Sequence, residues 1–424
     1  MTNKVSLPVK VAVIGIGGYG HHYLQTLWDE VPRDQARLVA AVEPFPENAL
    51  LSLKIKQAGI PLFSCMKDLF AAGISPDLVV IASPIHEHVP QSLAALEHGC
   101  HVLCDKPLAA TVQDADRLIR AASAAGRRVL IGYQWSYSKA VQGLKRKIRA
   151  GDLGRPVRMK SLCLWPRDRA YFQRNDWAGS IRDRSGRWVL DSPANNAMAH
   201  FLHNLLYLLG DRADTSAEPA ELTAEACRAF PIENYDSVAC RILTQSGAEL
   251  LFYASHAVPE AAGPLFHLEF EEAEAACAEA GGEIVCRSGR GPVINLGSPE
   301  SDHPFTKLFE AVALAARADE AAEDLLEPAV LCGPEAARAQ TVCVNGIQDS
   351  VGEVADLPRS LVREGPGGRI WVEGLAQAFQ DAYKQGVLPS EAGTEWVTKG
   401  RTVDLRDYVY FPGGSFPKGS EDGG

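Results

Sequence analysis

Residues 9–14 (VKVAVI) form a nearly unbroken apolar run, as expected of a parallel strand buried on both faces. Similar β-branched runs recur at 38–42, 78–82, 101–104 and 129–132, with helical periodicity between them at 19–30, 45–57, 89–98 and 112–124. Alternation at this spacing predicts βαβ units wound into a parallel sheet. From residue 133 the texture changes. A helix at 140–149 ends at Gly151, a turn and strand follow through 165, and an apolar helix runs over 198–209. Strand-like segments at 222–230, 237–243, 249–256, 266–270 and 283–287 are separated by hairpin-length gaps, and helical patterns return at 305–318, 334–348 and 372–385. Sequential strands of this kind predict an open, mostly antiparallel sheet with the 198–209 helix on one face. An open sheet with one bare face in turn predicts a homo-oligomer, dimer or tetramer.

Composition narrows the function classes. Apolar residues make up 46% and charged residues 22% of the 424-residue chain, which excludes wholesale disorder. The net charge is −11 without a basic block, the opposite of a nucleic-acid footprint. No run of 18 apolar residues offers a membrane span. The N-terminus shows no apolar signal core, and the ten cysteines are scattered without a CxxC pair. They read as reduced core thiols of a cytoplasmic protein.

Gly15-Ile16-Gly17-Gly18-Tyr19-Gly20 is a GxGxxG loop placed after the first strand and opening a helix. Its glycines allow a tight turn, close approach of a pyrophosphate and close helix–strand packing. Glu43, at the end of the second strand, is positioned to accept hydrogen bonds from a ribose diol. Pro44 and Phe45 follow it, and neither is a cation that would suit a 2′-phosphate, so NAD is expected over NADP. The pattern thus divides the chain into a Rossmann dinucleotide-binding domain (1–133), an α/β domain for substrate and oligomerisation (134–412) and a disordered tail (413–424).

Two further strand ends carry polar chemistry: Ser83-Pro84 with His88, and Asp105-Lys106-Pro107. Ligands of open α/β sheets bind at such carboxyl edges. On the apolar 198–209 helix, Asn196, His200 and His203 fall at i, i+4 and i+7 and suggest a polar stripe facing a cleft. Two hydrogen-bonded core histidines are the plainer alternative. A zinc site is not expected, because i, i+3 histidines lack a third ligand. The segment from Trp165 to Trp177, with Tyr171 and Arg174, has the aromatic and hydrogen-bonding character of a carbohydrate cleft.

Together these motifs resemble, in order and spacing, the glucose–fructose oxidoreductase / inositol dehydrogenase / rhizopine-catabolism (Gfo/Idh/MocA) oxidoreductases. The resemblance implies a Rossmann domain plus an open-sheet α/β domain and hydride transfer between NAD and a secondary hydroxyl of a sugar, cyclitol or glycoside. It implies Lys106 as the catalytic lysine polarising the oxygen, a cis Lys106–Pro107 bond and His200 as acid/base. The expected cofactor contacts are Gly15, Ile16, Gly17, Gly18, Tyr19, Gly20, Glu43, Ser83, Pro84, His88, Asp105, Lys106 and Gln134. The expected substrate contacts are Asn196, His203, Trp135, Tyr171, Arg174 and Asp191. No metal is implied. The chain departs from the family pattern at Asn196, where Asp is usual, at His203, where Asp or Asn is usual, and at Trp135, where many members carry Arg. Asp191 is a carboxylate that could replace the missing one. A redox-neutral enzyme that recycles bound NAD, and a non-catalytic NAD sensor, are the alternative readings.

Overall fold

The computed structural model describes residues 7–289, 291–300, 306–316 and 330–413. Its first sheet has six parallel strands: β1 (Val9–Ile14), β2 (Ala36–Val42), β3 (Leu62–Phe63), β4 (Leu78–Ile81), β5 (His101–Cys104) and β6 (Val129–Ile131). Their order is β3-β2-β1-β4-β5-β6. The winding therefore reverses between β1 and β4, which opens a crevice at the carboxyl ends of those strands. Helices α1 (Gly20–Asp29), α2 (Ser52–Gln57), α3 (Met66–Ala71), α4 (Ile85–Glu97) and α5 (Val112–Ala125) make the crossovers. β4 and β5 are buried at every position, as their apolar runs require. Within 45–57 only the second half is α-helix, because Pro46 opens a single 3-10 turn and the chain then restarts at Ser52.

The second part contains α6 (Lys139–Ala150), β7 (Pro156–Leu164), α7 (Arg169–Gln173), α8 (Ala199–Leu208), β8 (Pro219–Arg228), β9 (Ser237–Thr244), β10 (Glu249–Ser255), β11 (Ala262–Phe270), β12 (Ala273–Cys277), β13 (Val285–Ser288) and β14 (Ile294–Asn295). Beyond these come α9 (Thr306–Ala316), α10 (Pro334–Val351), β15 (Ala355–Asp356), β16 (Val362–Glu364), β17 (Ile370–Val372), α11 (Leu375–Gln385) and β18 (Val403–Asp404). The sheet order is β14-β13-β12-β11-β7-β10-β9-β8-β15, with β18 also on β8. Most pairs are antiparallel, but β7 and β10 run parallel at the centre. The chain enters at β7, leaves for α7 and α8, and returns through the β8–β10 meander.

Strand periodicity sorts the two faces. Leu250, Phe252 and Ala254 join the main core with α8 and α10. Leu251 and Tyr253 point the other way, where Leu375 and Phe379 of α11 cover them. The outer face is therefore not bare, which removes the premise of the oligomer expectation. The 372–385 helix begins three residues later than expected, because Ile370–Val372 pairs with β16 as a strand. α10 also packs on α5 and β6, and α9 on β5, so late helices bind the two sheets together. All ten cysteines are free thiols, and Cys65 alone is exposed. The ends of the expected 305–318 helix and the tail from 414 lie outside the described residues. Among the described residues no helix is long and apolar enough to cross a membrane.

Candidate active site

The glycine loop leaves β1 at the crevice. Gly15 has φ +78°, and a side chain there would meet the Ala82–Ser83 backbone at 2.9 Å; one at Gly20 would lie 1.7 Å from the Gly15 carbonyl oxygen. Those two glycines serve packing. A Cβ on Gly17 would meet only Glu43 Oε2, at 3.6 Å, and one on Gly18 would meet nothing within 4 Å. Bare backbone facing open space at a helix start is a cradle for a pyrophosphate. Glu43 Oε2 accepts from the amides of Ile16 and Gly17, both at 3.1 Å, and Oε1 accepts from Phe45 at 3.1 Å. A carboxylate has about four acceptor sites, so ribose hydroxyls can still be taken. The Ile16 side chain itself is core.

At the neighbouring strand ends, Ser83 Oγ donates to Gln91 Oε1 at 2.7 Å, Pro84 caps α4, and Gln134 Oε1 accepts from the Tyr19 hydroxyl at 3.2 Å. His88 is a correction to the expected cofactor contacts. It is buried, with Nδ1 2.7 Å from the Pro107 carbonyl oxygen and Nε2 2.9 Å from that of Ser83. Its ring ties the two strand-end motifs together and has no nitrogen left for a ligand.

Asp105 Oδ1 accepts from the Tyr23 hydroxyl at 2.7 Å and from Lys307 Nζ at 2.9 Å. Lys307 comes from α9, is fully buried, and also donates to the Gly132 carbonyl at 3.1 Å. Burial alone would raise the Asp105 carboxyl, but Lys307, then Lys106 and Tyr23, hold it below the usual range. Lys106 follows, with a cis peptide to Pro107. Its Nζ donates to the Asn196 backbone oxygen at 2.9 Å and to Asn196 Oδ1 at 3.1 Å. Burial pushes its pKa down, Asp105 opposes this, and Lys307 adds to it. Asn196 Nδ2 donates to Asp191 Oδ1 at 2.7 Å. Asp191 Oδ2 accepts from the Gly179 amide at 2.6 Å and lies 3.6 Å from Arg174. Burial raises the Asp191 pKa against the pull of Arg174. The carboxylate missing at 196 is thus recovered in Asp191, two hydrogen bonds from the lysine through Asn196.

His200 makes no hydrogen bond through its ring among the described residues, and its buried Nδ1 is unpartnered. Burial, then Lys106 and Lys307, push its pKa well below 6.5. Its ring meets Tyr133 edge-on at 5.7 Å. His203 does not share the cleft. It is 1% exposed, stacked on Tyr133 at 3.9 Å, and bonded through Nε2 to Ser136 Oγ at 3.0 Å. Three residues along a helix leave it only about 60° from His200, but Ser136 and Tyr133 take up its ring in the core. Trp135 is also core, 5% exposed between Phe201 and Phe266.

The wall of the cleft is α7 and its flanks. Arg174 donates to the Tyr171 carbonyl at 2.6 Å, stacks over the Tyr171 ring at 4.0 Å and reaches Trp177 at 5.2 Å. Arg167 covers the Tyr171 ring at 4.7 Å. Buried His256 lies 5.5 Å from the same ring and is bonded through Nδ1 to the Trp165 carbonyl oxygen. A separate cavity of about 220 Å³, lined by Phe172, Gln173, Phe230 and Ile232 among others, holds none of the residues discussed above. Among the described residues no three His, Cys, Asp or Glu side chains cluster as metal ligands.

The sequence expectations omitted two residues. Lys307 had a weak signal, a lysine on the apolar stripe it shares with Ala311 and Ala315. Arg167 had none beyond its place in an arginine-rich segment.

Residues 9–133 match the profile of the oxidoreductase family with NAD-binding Rossmann fold. An inositol 2-dehydrogenase of Burkholderia multivorans is 28% identical over 207 residues, 48% of this chain and 56% of that one. Inositol 2-dehydrogenase 1 of Saccharopolyspora erythraea is 34% identical over 155 residues, 36% of this chain and 44% of that one. The chain thus spans about half the length of these relatives. In shape it is similar to the WlbA dehydrogenase of Bordetella pertussis, solved with NADH and UDP-GlcNAcA (TM-score 0.63, 19% identity, covering 80% of this chain and 95% of that one). An Agrobacterium radiobacter oxidoreductase solved with NAD+, L-tartaric acid and magnesium gives a TM-score of 0.62 at 18% identity, covering 94% and 99%. The match covers the glycine loop and the Asp105-Lys106-Pro107 strand end, and it assigns to residues 9–133 the NAD-binding Rossmann fold of that oxidoreductase family.

Proposed function

We propose that the chain is an NAD-dependent oxidoreductase acting on a secondary hydroxyl of a sugar, cyclitol or glycoside. The observation that carries this reading is the pairing of a half-buried lysine with an unengaged histidine at the carboxyl edge of the dinucleotide sheet. Lys106 is held by both oxygens of Asn196, and His200 keeps its ring free of hydrogen bonds among the described residues. NAD, when bound, supplies hydride-accepting or hydride-donating chemistry, and the open cradle over Gly17 and Gly18 fits its pyrophosphate. The protein's own work is on the oxygen. Lys106 donates to the reacting hydroxyl oxygen and stabilises alkoxide charge as it forms. His200, kept neutral by desolvation of its ring and by two neighbouring ammonium groups, takes the hydroxyl proton. Asp191, acting through Asn196, orients Lys106 without touching the substrate. Two relatives named inositol 2-dehydrogenase support the cyclitol and sugar class.

The test is NADH formation at 340 nm with a panel of inositols, hexoses, hexuronates and UDP-sugars. Turnover on at least one of them, lost by roughly 100-fold or more in Lys106→Met while NAD still binds, is the expected result. Near-normal turnover of Lys106→Met, or NAD binding without turnover on any of these compounds, would overturn it.

A further inference from the structure

Arg167 differs from the other cations of the cleft in having no carboxylate partner among the described residues. Arg174 lies 3.6 Å from Asp191, Lys307 lies 2.9 Å from Asp105, and Lys106 reaches Asp191 through Asn196. The acids adjacent in sequence are committed elsewhere. Asp168 caps α7 by accepting from the Tyr171 amide at 2.8 Å, and Asp176 lies 3.5 Å from Arg184. What Arg167 does contact is weak. Its NH1 donates to the Pro166 carbonyl at 3.3 Å, its guanidinium lies 4.7 Å from the Tyr171 ring centre and meets the hydroxyl of that residue, and its Nε is buried with no partner. A guanidinium has five donors in a rigid fork that matches the two oxygens of a carboxylate or phosphate, and a buried donor left unpaired is costly.

Its position matters as much as its vacancy. Two guanidiniums lie against the one Tyr171 ring, that of Arg167 at 4.7 Å and that of Arg174 at 4.0 Å. With Lys106, three cations line this side of the cleft; of the described carboxylates near them, Asp191 is drawn by burial toward its neutral form and Asp168 caps α7. That local excess of positive charge stands in a chain whose net charge is −11. We propose that Arg167 is an oxyanion subsite: the substrate carries a carboxylate or phosphate group, which Arg167 holds through its fork against the Tyr171 face. The placing of this subsite beside a reacting hydroxyl rests on the oxidoreductase reading; the subsite itself does not.

The experiment titrates NAD-saturated protein at low ionic strength with malonate and with inorganic phosphate, followed by tryptophan fluorescence from Trp165 and Trp177, with glycerol as the neutral control. Saturating the protein with NAD removes the pyrophosphate cradle as a competing anion site. The expected result is saturable anion binding that 0.5 M NaCl weakens and that Arg167→Gln weakens at least tenfold. Arg167→Lys, which keeps the charge and loses the fork, should fall between the two. Its unchanged melting temperature would show that the wall is intact. No saturable binding, or less than a tenfold loss in Arg167→Gln, overturns the subsite. D-galacturonate and D-galactose 6-phosphate are then compared with D-galactose in the same titration. The acid that loses its advantage in Arg167→Gln identifies the source of the anion, whereas equal binding of all three sugars overturns the proposal. Arg167-dependent binding without NAD-linked turnover would leave the subsite standing and refute the oxidoreductase reading. Turnover without such binding would do the reverse.

Discussion

Gly17→Ala separates cofactor binding from folding in a way the other loop glycines cannot. At Gly15 a side chain meets backbone at 2.9 Å with φ +78°, and at Gly20 it lies 1.7 Å from a carbonyl oxygen. Either substitution breaks the loop whether or not NAD binds. At Gly17 the new methyl meets only Glu43 Oε2, at 3.6 Å, an ordinary contact. The folded chain should accept it, and the lost freedom of the unfolded chain should make it neutral to about 0.5 kcal/mol stabilising. The same methyl enters the space a pyrophosphate needs, so NAD affinity should fall at least 100-fold, about 2.7 kcal/mol. The assay is thermal melting with and without NAD. Wild type at 100 times its Kd gains about 2.7 kcal/mol of stability. Gly17→Ala should melt like the wild-type apoprotein and gain almost nothing at that concentration. A variant that binds NAD within threefold of wild type would refute the placement of the pyrophosphate over this glycine. A variant that fails to fold would refute the packing around it.

Three further outcomes are expected. Glu43 should repel a 2′-phosphate, so NAD should bind at least tenfold better than NADP, about 1.4 kcal/mol, and Glu43→Gln should narrow that ratio in fluorescence titrations. Because the His200 pKa is pushed below 6.5, the protonated, inactive form appears only in acid. The oxidation rate should therefore fall with one proton below an apparent pKa under 6.5, and His200→Asn should remove that limb and most of kcat. His203, held down to about 3 by burial, with Lys145 adding to the effect, stays neutral in the folded chain while the unfolded chain takes up its proton. Its contribution is intact above pH 6.5 and is lost as pH falls toward 3, at about 1.4 kcal/mol per unit. Urea unfolding at pH 7.5 and pH 5 should therefore show the stability advantage of wild type over His203→Leu shrinking in acid; an unchanged difference would mean that His203 titrates normally.

The parts legible in the sequence are those whose signal is local. β1 and β5 keep the limits that their apolar runs predict, because both faces of those strands are buried. The glycine loop, the Asp105-Lys106-Pro107 strand end and His200 are likewise written in short stretches. Misplacements arise where a side chain's surroundings come from far along the chain. His203 looks like cleft lining until Tyr133 and Ser136 take up its ring. His88 looks like a ligand until the Pro107 and Ser83 carbonyls claim both nitrogens. The parallel β7–β10 pair joins segments that an excursion through α7 and α8 separates, and no hairpin spacing encodes it. The cover on the outer face is supplied by α11, more than 100 residues after the strands it protects.

Asp105 explains why the site needs both parts of the chain. A buried ion pair seldom stabilises a fold on balance, because desolvating two charges offsets their attraction. The Lys307–Asp105 pair, at 2.9 Å with the lysine wholly buried, is therefore better understood by what it positions. Lys307 reaches across from α9 and ties Asp105 and the Gly132 carbonyl into one cluster. The next residue is Lys106, whose ammonium is met from the opposite side by Asn196, just before α8. The lysine is thus fixed at its base by α9 and at its tip by the segment that also presents Asp191 and His200. Neither sheet alone supplies both restraints. Docking the second part on the first therefore does more than close a cleft: it sets the position of the ammonium, while burial, with the two lysines adding to it, holds the pKa of the neighbouring His200 well below 6.5.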